Sequence, residues 1–201
     1  MSPRVHVLTG IPVCVAGVAS AFVVVAANAW MNQPRGFDLD DGRVVAVRPW
    51  AALFNPATPP QTVHMILAAF MVAGFGMASV YAAAMLRGRT DRYHRLGFAV
   101  PFTVAAVLTP VQIAVGDWAA KFLAINQPAK LAAIEGVYAT SRTVPLNVGG
   151  LYQDGEVPYA LEIPYGLSLL AHWDPHALII GLDRFAPEDR PPVSVVHWCS
   201  R

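Results

Sequence analysis

The chain has 201 residues, 55% hydrophobic and 13% charged, with a formal net charge of +1 and a mean hydropathy of +0.45. Soluble domains carry about 25% charged residues, so the deficit argues against a soluble enzyme, and the balanced charge leaves no basic surface for nucleic acid. Two cysteines, Cys14 and Cys199, give neither a disulfide framework nor metal-ligand spacing.

The charges are unevenly placed. No Asp, Glu, Lys or Arg occurs at 10–31, 61–86 or 96–116, and each gap is close to the ~20 residues a helix needs to cross a bilayer core. The first spanning helix is predicted at 7–30. The start, Met-Ser-Pro-Arg, resembles the charged end of a signal peptide, but the apolar run after it is too long and lacks a cleavage site. A polar loop at 31–60 follows. The second helix, 61–86, starts after Pro59 and Pro60, residues suited to a first turn. The loop at 87–95 leads to the third helix, 96–118, which tolerates Pro101 and Pro110 if neighbours satisfy the freed carbonyls.

The 87–95 loop has four arginines and one aspartate, and the 31–60 loop three of each. The positive-inside rule therefore puts the 87–95 loop and the N-terminus in the cytoplasm, and 31–60 and everything after Trp118 outside. Trp30 and Trp118 then mark outer helix ends. The expected fold is an all-α integral membrane protein. It has three transmembrane helices within 1–120 and a long, mostly irregular external loop, 121–201, with one short helix. Pro128 would open that helix and Gly136 close it. So little periodicity predicts a tail that folds against the membrane part or a partner rather than alone.

Several residues could carry chemistry. His64 lies within an uncharged span, where an ionisable group by default marks function. Imidazole is an axial ligand for heme iron, yet a histidine bonded to a neighbouring helix accounts for the position equally. Lys130 and Glu135 are five apart, about 140° around a helix, so they do not form a simple surface ion pair. They could flank a ligand, a carboxylate being suited to accept a quinol proton, or sit on an ordinary solvated helix. Ser20 and Asn28, two turns apart, could line a polar track or simply bond neighbouring helices.

The order of these segments resembles a known family. Ala27-Asn-Ala-Trp-Met31 with Pro34 and Gly36, then His64, then Gly116-Asp117, then Gln127-Pro-Ala-Lys-Leu-Ala-Ala-Ile-Glu135 are similar to subunit I of the cytochrome bd-type quinol oxidases. So are Ile180-Gly-Leu182, Asp189-Arg-Pro-Pro-Val193 and Val196-His197. The resemblance implies that His64 is an axial ligand of the low-spin heme b, and that Lys130 and Glu135 bind quinol in the external loop. It implies that Ser20 and Asn28 help carry protons. It also implies a multi-pass protein of a prokaryotic cell membrane, in contact with lipid, passing electrons from quinol to oxygen alongside a second oxidase subunit.

The resemblance has limits. The family subunit has about nine spanning helices, and the first segment here resembles its fourth. The expectation is an internal piece of the subunit, of the short-loop branch, that needs the remaining part. The methionine opposite His64 and the sites of the high-spin heme b and heme d would belong to the complete subunit. Met65 cannot replace that methionine, because an adjacent helix residue cannot reach the opposite heme face. Such a piece is expected not to be an oxidase by itself. The competing expectation is a truncated, non-catalytic membrane fragment or scaffold; an unrelated carrier would show inverted repeats, which three helices do not.

Overall fold

A computed structural model describes residues 2–153 and 155–193, so the match at Val196-His197, together with Cys199 and Asp154, lies outside the described residues. The chain forms two compact units, Met1–Gly116 and Asp117–Arg201.

The first unit is built on helices. α1 spans Pro3–Asn32. A hairpin follows, β1 (Asp38–Asp40) against β2 (Arg43–Val45), turned by Asp41 and Gly42, both at positive φ. An Asp-Gly pair is the sequence that turn requires. After α2 (Pro49–Leu53) come α3 (Thr58–Leu86) and α4 (Arg92–Asn126). All three long helices are long and apolar enough to cross a membrane, and the chain is a multi-pass membrane protein. Val13, Val72 and Ile113 are 70–75% exposed, an apolar surface that suits lipid and not water.

Where helices meet, the residues are small. Ala26, Ala29 and Ala105 are fully buried. A Cβ on Gly74 would come within 2.9 Å of both Ala105 Cβ and the Pro101 carbonyl. Membrane helices associate through such close backbone approach.

The helices run longer than their uncharged stretches. α4 continues eight residues past Trp118, because nothing breaks it until Gln127, whose following proline disfavours helical backbone. Trp118 is therefore inside a helix and not at its end. The start of α3 is held by buried polar groups. Asn55 accepts from the Ala57 N–H, and the Thr58 hydroxyl donates to the Leu53 carbonyl. Those bonds place His64 two turns into α3.

The second unit has more structure than its sequence period suggests. α5 (Pro128–Glu135) ends at Gly136 in the left-handed region, φ +69°. It is followed by two-stranded ladders, β3 (Ser141–Arg142) with β6 (Leu178–Ile179) and β4 (Leu146–Val148) with β5 (Leu161–Ile163). A further helix, α6, spans Gly166–His172. One short helix was expected, and two short α-helices are found among the described residues. Leu131, Val137, Leu167, Ile179 and Leu182 form a buried cluster within this unit. The described tail thus has a buried cluster of its own. Strands of two or three residues carry no readable alternation, so the sequence pattern does not reveal the cluster they build.

Candidate functional site

His64, on α3, is half-buried and meets α4 through two residues. Gln112 Nε2 lies 3.2 Å from its Nδ1, 3.3 Å from its Nε2 and 3.3 Å from its carbonyl oxygen, to which it donates. One nitrogen this near both ring nitrogens cannot lie on the in-plane axis of either, so the amide rests over the imidazole face. Gln112 Oε1 is buried and has no hydrogen-bond partner among the described residues. One turn on, Gly116 faces the ring: a Cβ there would sit 3.8 Å from His64 Cε1. Neither Gln112 nor Gly116 stands out in the sequence as a partner of His64. Glutamine in an uncharged span was the available signal.

Ser20 and Asn28 are exposed on α1. Asn28 accepts from Asn32 Nδ2 at 2.8 Å through both its carbonyl oxygen and its Oδ1.

Lys130 and Glu135 belong to the second unit and share α5, both half-buried. Burial pushes the Lys130 ammonium below its ordinary range, because desolvation penalises the charged form. Gln127, at the N-cap of α5, makes no side-chain cap bond. Both its Oε1 and Nε2 are buried without a partner among the described residues. Gln127 stands just ahead of α5, three residues before Lys130 and eight before Glu135. A buried donor or acceptor left unpaired costs about 1–3 kcal/mol. The pair calls for a ligand that both gives and takes a hydrogen bond.

A second polar group is built where α4 meets α6 within this unit. Lys121 Nζ donates to Asp117 Oδ2, and Trp173 Nε1 donates to Asp117 Oδ1 at 3.3 Å. The ammonium lies 4.2 Å from the indole centroid. The Asp117/Lys121 spacing of four is readable as a helical pair. Trp173 is 52 residues downstream of Lys121, and only folding brings it there.

Comparison with known proteins agrees along the whole chain. Residues 1–201 match the family described as cytochrome bd terminal oxidase subunit I. A putative cytochrome bd menaquinol oxidase subunit I of Bacillus subtilis is 33% identical, over 97% of this chain and 45% of its own length. The cytochrome bd-II ubiquinol oxidase subunit 1 of Escherichia coli is 32% identical, over 86% of this chain and 34% of its own. The structure of the bd oxidase from Geobacillus thermodenitrificans matches with a TM-score of 0.86 and 39% identity, covering all of this chain and 46% of that one. The chain spans less than half the length of each of these proteins.

Proposed function

The chain belongs to the family of cytochrome bd terminal oxidase subunit I, and from that membership we propose that it is part of the quinol-oxidising, heme-binding subunit of such an oxidase. The oxidase would transfer electrons from quinol to oxygen, with the second subunit as partner, in a prokaryotic cell membrane. The arginine-rich 87–95 loop and the N-terminus lie on the cytoplasmic side, residues 1–120 hold the membrane part, and 121–201 form the external quinol loop.

The observation that carries this reading is Gln127. Its two amide atoms, buried without a partner among the described residues, open the helix that carries Lys130 and Glu135; a quinol ring would supply a hydroxyl that donates to Oε1 and an oxygen that accepts from Nε2. Lys130 positions the headgroup. Glu135 accepts a hydroxyl proton, leaving the ring oxygen ready to give up its electrons. General-base assistance of this kind contributes about 10²–10⁴-fold.

His64 is the axial ligand proposed for a low-spin heme b. The residues present fit one side of that group: the Gln112 amide lies off the in-plane axis of both ring nitrogens, and Gly116 adds no side chain at the Cε1 edge. When bound, the heme supplies a one-electron acceptor for quinol oxidation. Gln112 holds the ring plane, and its unpaired Oε1 awaits a donor from outside the described residues. Ser20 and Asn28 are proposed members of a proton path along α1.

The test is Glu135→Gln and Lys130→Ala in the complete oxidase. Quinol oxidation is expected to fall about 10²-fold or more, while oxygen consumption driven by an artificial electron donor that bypasses the quinol site is retained. Full quinol turnover in both variants would reject the assignment. Loss of both activities with unchanged heme spectra would place the defect elsewhere than quinol oxidation.

A further inference from the structure

We propose that the arginine-rich loop between α3 and α4, with the apolar groove that opens beneath it, is a binding site for an anionic phospholipid.

The loop is a concentration of unspent positive charge. Arg87, Arg89, Arg92 and Arg95 are all exposed, and none forms an ion pair or side-chain hydrogen bond among the described residues. The one acid in the segment is committed elsewhere. Asp91 Oδ1 caps α4 by accepting from the N–H groups of Tyr93 and His94, at 2.9 and 3.2 Å. Its Oδ2 pairs with His94 Nδ1 at 2.6 Å. Asp91 therefore shapes the loop and does not neutralise its arginines.

An apolar groove of about 410 Å³ begins at the same end of the helix pair. It runs between α3 and α4 from Tyr81 and Leu96 beside the loop to Phe70 and Val104 deeper in the span. Eleven helical rises of 1.5 Å from Phe70 to Tyr81 make it about 16 Å long, close to half of the ~30 Å hydrocarbon core. That is the reach of an acyl chain in one leaflet. At the mouth, the Tyr81 and Tyr93 hydroxyls are hydrogen-bonded to each other at 3.1 Å, which leaves one O–H of the pair to donate to a phosphate or ester oxygen. Gly97 makes this mouth possible, since a Cβ there would collide with the Tyr81 ring.

These parts are arranged as the ligand is: charge, then hydroxyls, then apolar slot. Basic pockets between spanning helices bind anionic headgroups. A free phosphate would gain nothing from the groove, and a zwitterionic lipid brings its own cation to a loop of four uncompensated arginines. A second copy of this chain would set its own arginines against these.

The experiment places the purified chain in equimolar phosphatidylglycerol and phosphatidylcholine and weighs the co-purifying lipid by mass spectrometry. The ratio of phosphatidylglycerol to phosphatidylcholine is expected to be at least about fivefold that of the bulk mixture. The variant with Arg87, Arg89, Arg92 and Arg95 all changed to Gln is expected to lose the preference. Ala73→Trp, filling the groove from α3, is expected to lower the retained amount of both lipids. Helix content by circular dichroism checks that each variant is folded. Retention in bulk proportion, or a preference that survives the quadruple change, would overturn the site. A preference that survives Ala73→Trp would reduce it to surface charge and overturn the groove. The complete oxidase is assayed in the same way, and absence of the enrichment there would mean that protein, not lipid, fills the groove.

Discussion

Gln112 donates to the backbone carbonyl of His64 and lays its amide across the imidazole face. The contact ties α4 to α3 at the residue proposed to bind iron, and it lies off the in-plane axis of both ring nitrogens. Partners of metal-binding histidines typically set affinity by about 10–100-fold. Gln112→Leu in the complete oxidase is expected to weaken low-spin heme b retention by at least about tenfold and to broaden its reduced α-band. A band and heme content equal to the parent's would show that the amide merely packs.

Gln127→Leu should separate stability from function. It removes two buried unpaired groups, each costing about 1–3 kcal/mol, so the thermal midpoint is expected to rise. The same change removes a donor and an acceptor from the proposed quinol site, so KM for quinol is expected to rise about thirtyfold, each of two hydrogen bonds being worth about 1 kcal/mol. A raised midpoint with unchanged KM would leave Gln127 outside the quinol site.

Lys130 gives stability a pH dependence of definite sign. Its folded-state pKa lies below the unfolded one because burial penalises the ammonium. Between the two values the unfolded chain binds more protons, so stability rises with pH across that window. Denaturation of the second unit followed from neutral to alkaline pH is expected to show this rise, and Lys130→Met to flatten it. A parallel rise in the variant would locate the titration in another group.

Asp183 works in the opposite direction. Its Oδ1 accepts from the Thr140 N–H at 3.0 Å and the Thr140 hydroxyl at 2.6 Å, which hold its carboxyl below the ordinary range. The Gly181 N–H also donates to Thr140 Oγ1 at 2.9 Å, so one carboxylate fastens the chain after α5 to the chain after β6. This contribution is complete above the unfolded carboxylate pKa and is lost as pH falls through the folded one. Amide exchange at Gly181 and Leu182 is expected to accelerate in acid, and Asp183→Asn to remove that acid dependence. Exchange in the parent that ignores pH after correction for intrinsic rates would contradict it.

Gly74→Ala tests the closest helix approach. The new Cβ would meet the Pro101 carbonyl and Ala105 Cβ at 2.9 Å, and backbone at that distance cannot step aside cheaply. Overpacking of this kind costs about 1–3 kcal/mol. A lower thermal midpoint in detergent is expected, with Gly76→Ala, which meets nothing within 4 Å, as the neutral control. Equal midpoints would mean that the two helices do not touch there.

The three spans were legible because uncharged apolar runs of about twenty residues seldom occur outside a bilayer. The Lys130/Glu135 helix was legible from Pro128 and Gly136, which mark a helix start and stop by backbone chemistry alone. The helix ends were not, since α4 stops at the next backbone obstacle and not where charge reappears. The residues around the candidate sites were also hidden. Gln112 lies 48 positions from His64, and Trp173 lies 52 from Lys121; no period connects either pair. By itself the sequence determined what a residue's own chemistry dictates: which segments prefer lipid, where helices break, and which few ionisable groups stand out against an apolar background. Only the tertiary structure decided that Gln112 covers the His64 ring, that the Gln127 amide is buried without a partner among the described residues, and that a tail of very short strands closes on a core. Those outcomes depend on contacts between distant segments, whose geometry is set when the whole chain packs.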